Sequence, residues 1–413
     1  MSLVPTILNM RWLIIEDSLE GRQGHWFEYL ENFCRELPRL GDSVTLLVSR
    51  RAEPFILNRL GALPRLPDSA FGKMSDGAPA WRRYARIPVH AWKTFWAVRR
   101  HLRTAPEPEI IFVPTVIIHH LLAWAVLVKL RLKRGPTRIL LFFPGLPIRR
   151  NGETAVVDGS PTSKLVRRLM RWLAPEIRAG KVILGVETQP MKRAAEQAFQ
   201  VPFTYFPHPV NPLPADLPPL PDSAPVTMAC YGPARYEKGS QVLAAAMERH
   251  LTALPAGRTR FVLQWLEDFP LASGGTARLP AGLRSHSRVE IVSRFFADGE
   301  YAQRLAATQV LLLPYRCSSY ALRVSRVVIE ALVNGLPVVA TRGTTLADQA
   351  EQFGAAVLCD DGGVESLMAA IETVERDYPA LATRAGERRT AAREHFSVRH
   401  FRSLLAAATR AEI

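Results

Sequence analysis

The chain has 413 residues, 48% of them hydrophobic and 22% charged, which is too apolar for a disordered polymer and too long for one ordinary core, so two domains are expected. Four cysteines, Cys34, Cys230, Cys317 and Cys359, stand far apart without a C-x2-C pair; this excludes a disulfide scaffold and any zinc module legible by spacing, and they read as reduced thiols. The net charge of +15 invites a nucleic-acid partner, but no helix-turn-helix, zinc-finger, RNP or KH pattern is present, and nucleic acid is set aside.

Ahead of Arg11 there is no basic segment followed by a long apolar one. The chain enters a strand almost at once, which argues against a signal peptide and for a cytoplasmic location. Short β-like runs then recur between helical stretches: Leu13 to Ile15, Val44 to Val48, Ile110 to Val113, Ile139 to Phe143, Val182 to Val186 and Thr204 to Phe206. This alternation predicts a parallel sheet. Ile110 to Leu130 is about as long as a membrane span, but Pro114 and the pair His119-His120 interrupt it, so a strand followed by a buried helix is expected. Glu16-Asp17-Ser18 follows the first strand, Gly24 and His25 open the next helix, and Glu187-Thr188 ends a later strand.

The charge is uneven. Met1 to Val210 carries 31 Lys and Arg against 17 Asp and Glu, whereas Asn211 to Ile413 carries 22 against 21. From Gly77 to Pro106 no acidic residue occurs, and Arg82, Arg83, Arg86, Lys93, Arg99, Arg100 and Arg103 alternate with Trp81, Tyr84, Trp92, Phe95 and Trp96. Lys164 to Leu173 repeats the theme, with Leu165, Leu169 and Leu173 on one face and Lys164, Arg167, Arg168 and Arg171 on another. Basic helices with aromatic and aliphatic residues opposite the charge suit an anionic membrane surface, and peripheral attachment is expected; the alternative is an aromatic core with solvated arginines.

Asn211 to Pro225 (NPLPADLPPLPDSAP) cannot continue a helix or a central strand and reads as an extended hinge. After it the β runs resume at Val226 to Cys230, Arg260 to Gln264, Val289 to Val292, Val310 to Leu313, Val338 to Ala340 and Ala356 to Cys359. Two segments in this half carry chemistry. The first, YGPARYEKGSQVL at Tyr231 to Leu243, leaves a strand, passes through glycines and basic residues and opens a helix. The second, YRCSSYALRVSRVVIEALVNGLPVVAT at Tyr315 to Thr341, runs strand, loop, helix, strand. Its helix N-terminus would offer free N–H groups at residues 324 to 327, a natural diphosphate site.

The second segment resembles the C-terminal half of GT-B glycosyltransferases of the large retaining family, glycosyltransferase family 4, whose signature ends in Glu, Ala-Leu, Gly and Pro-Val-Val. Glu330 matches the second signature glutamate, which in that family holds the donor ribose. Leu322 occupies the position of the first, and Tyr320, Arg323, Ser325 and Glu330 fit a Tyr, Arg-x-Ser, Glu-Ala-Leu variant. The first segment resembles the glycine loop of the same nucleotide domain, which makes Arg235 and Lys238 the cations that neutralise the leaving diphosphate, although Arg235 precedes Lys238 by three residues where five is usual.

The resemblance implies an α/β GT-B fold, two doubly wound Rossmann-like domains facing each other across a cleft. The expected domains are 1–210 for the acceptor, 211–225 as hinge, 226–390 for the nucleotide sugar, and 391–413 as a C-terminal helix returning to the first domain. It also implies a glycine loop at Gly24-His25 facing the donor phosphates, a catalytic histidine at His119, and donor contacts from Arg323, Val324, Ser325, Arg326 and Glu330. Asp17 and Glu187 are the acceptor-side candidates, and His208 is a structural landmark. The activity so implied is transfer of a sugar from a nucleoside diphosphate donor, UDP or GDP, to a lipid-linked or polysaccharide acceptor with retention, by front-face attack and without metal or cofactor, at the inner face of the cell membrane. The missing first glutamate leaves a catalytically silent scaffold as one alternative, and a sugar-nucleotide epimerase is the other.

Overall fold

A computed structural model describes residues 9–22, 26–67, 69, 80–117, 120–132, 135–151, 154–217, 220–221 and 224–410. Two compact units are present: Met1–Pro209 with Val398–Ile413, and Val210–Ser397.

The first unit is built on seven parallel strands. They are β1 (Arg11–Glu16), β2 (Ser43–Ser49), β3 (Leu63–Leu66), β4 (Ile110–Val113) and β5 (Arg138–Phe143), then, after an antiparallel hairpin of β6 (Ile148–Asn151) and β7 (Thr154–Val157), β8 (Val182–Val186) and β9 (Thr204–Tyr205). The order across the sheet is β3-β2-β1-β4-β5-β8-β9. In β4 and β8 every residue is buried, because helices cover both faces and leave no solvated side for polar alternation. The apolar run after β4 becomes a short helix, Leu121–Leu127, extended by a π-helical turn, Val128–Leu132. Among the described residues no helix is long and apolar enough to cross a membrane.

The last helix, Val398–Arg410, belongs to this unit and packs on the helix Trp26–Arg39. It inserts Phe401 among Phe33, Phe112, Phe142 and Phe206, with ring centroids 4.6–6.0 Å away. Beside it Arg402 grips Asp42 with both ends of its guanidinium, at 2.7 and 2.8 Å, and the Trp12 indole N–H donates to the same carboxylate at 2.9 Å. The preceding helix, Val364–His395, runs past residue 391 inside the second unit, so the chain changes units at Ser397 and Val398.

The second unit carries β10 (Thr227–Cys230), β11 (Arg260–Gln264), a small ribbon of β12 (Phe269–Pro270) and β13 (Thr276–Ala277), then β14 (Val289–Val292), β15 (Val310–Leu313), β16 (Val338–Thr341) and β17 (Ala356–Cys359). Its parallel order is β14-β11-β10-β15-β16-β17. The proline-rich segment has no regular structure where described, and it is tied down on this unit: Leu213 donates its N–H to Asn334 at 2.9 Å, and Asp216 pairs with Arg389 and Arg393 at 3.0 and 2.9 Å.

Candidate functional site

In both sheets the chain starts centrally, winds outward one way, and then returns to the other side of the first strand. The switch points lie between β1 and β4 and between β10 and β15. At the carboxyl ends of two such strands the following loops diverge and leave a crevice, the usual ligand position in open α/β sheets. Both sequence-identified segments of the second unit emerge there.

After β10 the chain turns through Gly232 (φ +88°), the one-turn helix Tyr236–Lys238 and Gly239 (φ +65°) before the helix Ser240–Ala253. A Cβ on Gly232 would lie 2.3 Å from the Lys238 ammonium, and one on Gly239 would lie 2.0 Å from the Pro314 carbonyl oxygen. The first glycine therefore makes room for the lysine and the second lets this loop close on the end of β15. The Gly232 N–H donates to Gln264 at 2.7 Å, and the Arg316 N–H donates to the Glu237 carbonyl at 2.9 Å, joining the loops after β10 and β15.

Lys238 lies 5.9 Å above the Tyr315 ring, and among the described residues no carboxylate comes within ion-pair distance of it. Burial lowers its pKa from the ordinary lysine value, with the Cys230 sulfur opposing. Arg235 is mostly exposed, with Glu237 3.6 Å away. A partly dehydrated cation without a carboxylate partner is poised for an anionic ligand.

After β15 the helix Arg326–Asn334 begins with Ser325 as its N-cap and ends at Gly335. Val324 precedes the helix, whose first turn therefore starts at the N-cap Ser325. Ser325 is buried beside the Tyr315 hydroxyl, whereas Arg323 is exposed and its carbonyl accepts from Thr345. Glu330 is buried one turn on. Arg326 donates to one of its oxygens at 2.8 Å and the Tyr301 hydroxyl to the other. Burial, and next the Glu330 charge, hold the Tyr301 phenol well above its ordinary value, so it remains a donor. The carboxylate is thus held from both sides.

In the first unit Asp17 follows β1, and its carboxylate Oδ2 lies 3.3 Å from Nε2 of His90 and 3.7 Å from Nε2 of His120. The three side chains are 3–6% exposed. Neither histidine was singled out in the sequence, and the pair comes from the helix Ala80–Thr104 and the start of the helix after β4. Burial lowers the His120 pKa against the pull of Asp17. Next to it, burial and then Asp17 push the Glu16 carboxyl up to about 8, so it is protonated at neutral pH. Glu187, after β8, pairs with His208 at 2.5 Å, and the Tyr29 ring stacks 4.7 Å from that imidazole. Gly24, His25 and His119 lie outside the described residues.

The basic helix Ala80–Thr104 divides its aromatics. Phe95 is 3% exposed and belongs to the core, whereas Trp92 and Trp96 are 61% and 40% exposed. They border a cavity of about 490 Å³ that Arg50, Arg65, Lys93 and Arg100 also line. On the helix Pro161–Arg178, Leu169 and Leu173 are buried and Arg167, Arg168 and Arg171 are exposed. A larger cavity, about 860 Å³, adjoins Val226, Gln309 and Pro337 in the second unit. Those residues precede β10, β15 and β16, so it lies at the opposite edge of the sheet from Lys238 and Ser325.

These two parallel-sheet units make a GT-B fold. A glycosyltransferase from Rickettsia africae ESF-5 superposes with a TM-score of 0.64 at 12% identity, covering 97% of this chain and 98% of that one. The catalytic domain of starch synthase IV from Arabidopsis thaliana, bound to ADP and acarbose, gives 0.62 at 12% identity over 97% and 99%. Anabaena HepE in complex with UDP-glucose gives 0.57 at 14% over 97% and 99%. No protein-family model matches the chain, and no curated protein matches it in sequence. At these identities the likeness establishes the fold.

Proposed function

We propose that this protein is a glycosyltransferase that moves a sugar from a nucleoside diphosphate sugar to a lipid-linked or polysaccharide acceptor with retention of configuration. The observation that carries the reading is the cradle at the β10/β15 switch point. There Lys238, without a carboxylate partner, lies over Gly232, and the open helix start at Ser325 and the fixed Glu330 carboxylate stand on the adjoining loop. Lys238, Arg235 and the first-turn N–H groups would meet the negative charge that develops on the leaving diphosphate, with no divalent ion required at that position. Glu330 would bind the ribose diol. The leaving phosphate would take the acceptor proton, so no protein nucleophile is assigned. The structures of HepE with UDP-glucose and of the starch synthase with ADP support a nucleotide-bearing donor for this fold.

The acceptor is assigned to the first unit, and its basic excess supports an anionic membrane surface as the place where that acceptor is met. Leu322 in place of a signature glutamate favours a second reading, a catalytically silent scaffold. A panel of UDP- and GDP-sugars separates the two. For an enzyme, one donor raises the Tm progressively with concentration and is turned over when acceptor-bearing membranes are added. A donor that stabilises without turnover supports the scaffold, and a panel with no stabilising member overturns nucleotide-sugar binding itself.

A further inference from the structure

We propose that Asp17, His90 and His120 form a binding site for one divalent transition-metal ion, Zn²⁺ in the first instance. One donor atom from each side chain can be chosen so that all three lie within 4.8 Å of one another, and the three residues are buried. Zinc bonds of about 2.0–2.2 Å at tetrahedral angles place neighbouring donors about 3.3–3.5 Å apart. The separations of 3.3 and 3.7 Å from Asp17 Oδ2 to the two Nε2 atoms already fall near that spacing.

His120 supplies an independent indication. Both of its ring nitrogens are buried, and among the described residues neither meets the geometry of a hydrogen bond, although Asp17 and the Thr115 backbone are close by. A buried imidazole left without a hydrogen bond is costly in an ordinary core. A metal on Nε2, the nitrogen nearer Asp17, would remove that cost. Two imidazoles and one carboxylate suit zinc and its neighbours in the first transition row and suit Mg²⁺ poorly. Three protein ligands leave at least one coordination position for water or a ligand oxygen. The site lies at the β1/β4 switch point, and its three ligands all belong to the first unit.

The test uses full-length protein without a polyhistidine tag, stripped with chelator and titrated with Zn²⁺ against a chromophoric chelator, with Co²⁺ as spectroscopic probe. One equivalent of Zn²⁺ should bind, excess Mg²⁺ should not displace it, and Co²⁺ should give visible bands of a low-coordinate nitrogen and oxygen site. Asp17→Asn, His90→Gln and His120→Gln, checked for folding by circular dichroism, should each weaken binding tenfold or more, in roughly the range that even outer-shell partners command. Failure of the wild-type protein to bind stoichiometric Zn²⁺ overturns the proposal, whatever the variants do. So does wild-type affinity in a folded His120→Gln or His90→Gln protein. Because the readout is metal occupancy, neither result bears on sugar transfer.

Discussion

Lys238 owes its position to a glycine whose missing Cβ leaves room for the ammonium. Gly232 holds φ at +88°, and any Cβ there would meet the ammonium at 2.3 Å. Lys238→Ala should therefore lower kcat/KM roughly a hundredfold while leaving the fold intact, the loss usual for one electrostatic stabiliser. Gly232→Ala should mimic it by displacing the side chain that Lys238→Ala removes, and the double variant should be little worse than either single one. Near-wild-type turnover by Lys238→Ala ends this assignment. Arg323 is exposed and follows Leu322 in the chain, and an aliphatic group such as Leu322 cannot accept hydrogen bonds from sugar hydroxyls. Arg323→Ala should then blur discrimination among donor sugars as well as slow transfer; an equal loss on every donor would confine Arg323 to phosphate.

Glu16 makes a different prediction at the same scale. Its folded pKa is raised to about 8 from an ordinary 4.5, so between those values the folded protein binds more protons than the unfolded chain. The stabilisation is complete below pH 4.5 and is lost as pH rises through 8. In chelator-containing buffer, Glu16→Gln should remove this component of the alkaline fall in Tm and be the more stable protein above pH 8. Parallel Tm profiles for the two proteins would show that Glu16 is ionised in the fold.

Among the elements, the last helix ties the C-terminal end of the chain into the core of the first unit. Arg402 and Asp42 form a buried ion pair with two short bonds, and removing the guanidinium leaves a dehydrated carboxylate held only by the Trp12 indole and the Met10 N–H. Arg402→Ala should cost about 3–5 kcal/mol, the range for breaking a buried pair. Hydrogen exchange should register the loss in β1, β2 and the helix Trp26–Arg39 and spare the β10–β17 sheet. Protection lost equally in both units would show that they unfold as one. The helix Arg326–Asn334 combines two roles that a short element can hold together. Its apolar face, Val328, Leu332 and their neighbours, is fully buried, while its first turn stays open to a ligand.

For the molecule as a whole, charge and proposed chemistry are divided between units: the basic excess lies in the first and the proposed phosphate cradle in the second. Replacing Arg99, Arg100 and Arg103 by Gln should weaken binding to anionic vesicles roughly a hundredfold at low salt, since each near-surface cation contributes on the order of 1 kcal/mol. Donor-induced stabilisation should be unchanged. Vesicle binding equal to wild type, or indifference of the wild-type protein to lipid charge, would assign the basic face to a soluble polyanionic acceptor.

Most strands of both sheets were legible because parallel strands covered by helices are short apolar runs; β4, β8 and β15, buried throughout, and the partly buried β11, β14 and β17 coincide with the runs that mark them. The cradle was legible for a related reason. Phosphate sites at strand ends are built by residues close together in sequence, and Lys238, Ser325 and Glu330 each stand within one strand–loop–helix unit. β3 escaped because Pro64 sits in it and its middle is exposed, which an edge strand tolerates and a sequence pattern does not reveal. The split of the basic helix into core Phe95 and exposed Trp92 and Trp96 depended on which turn meets β3 and the helix after β4, something set by packing. The Asp17, His90 and His120 cluster lay furthest from reach. Its members come from a strand end, a long helix and the start of another helix, and no spacing along the chain encodes distances of 3.3 and 3.7 Å between them; the sheet order that sets β1 beside β4, and the packing of the helix Ala80–Thr104 on the helix after β4, decide them.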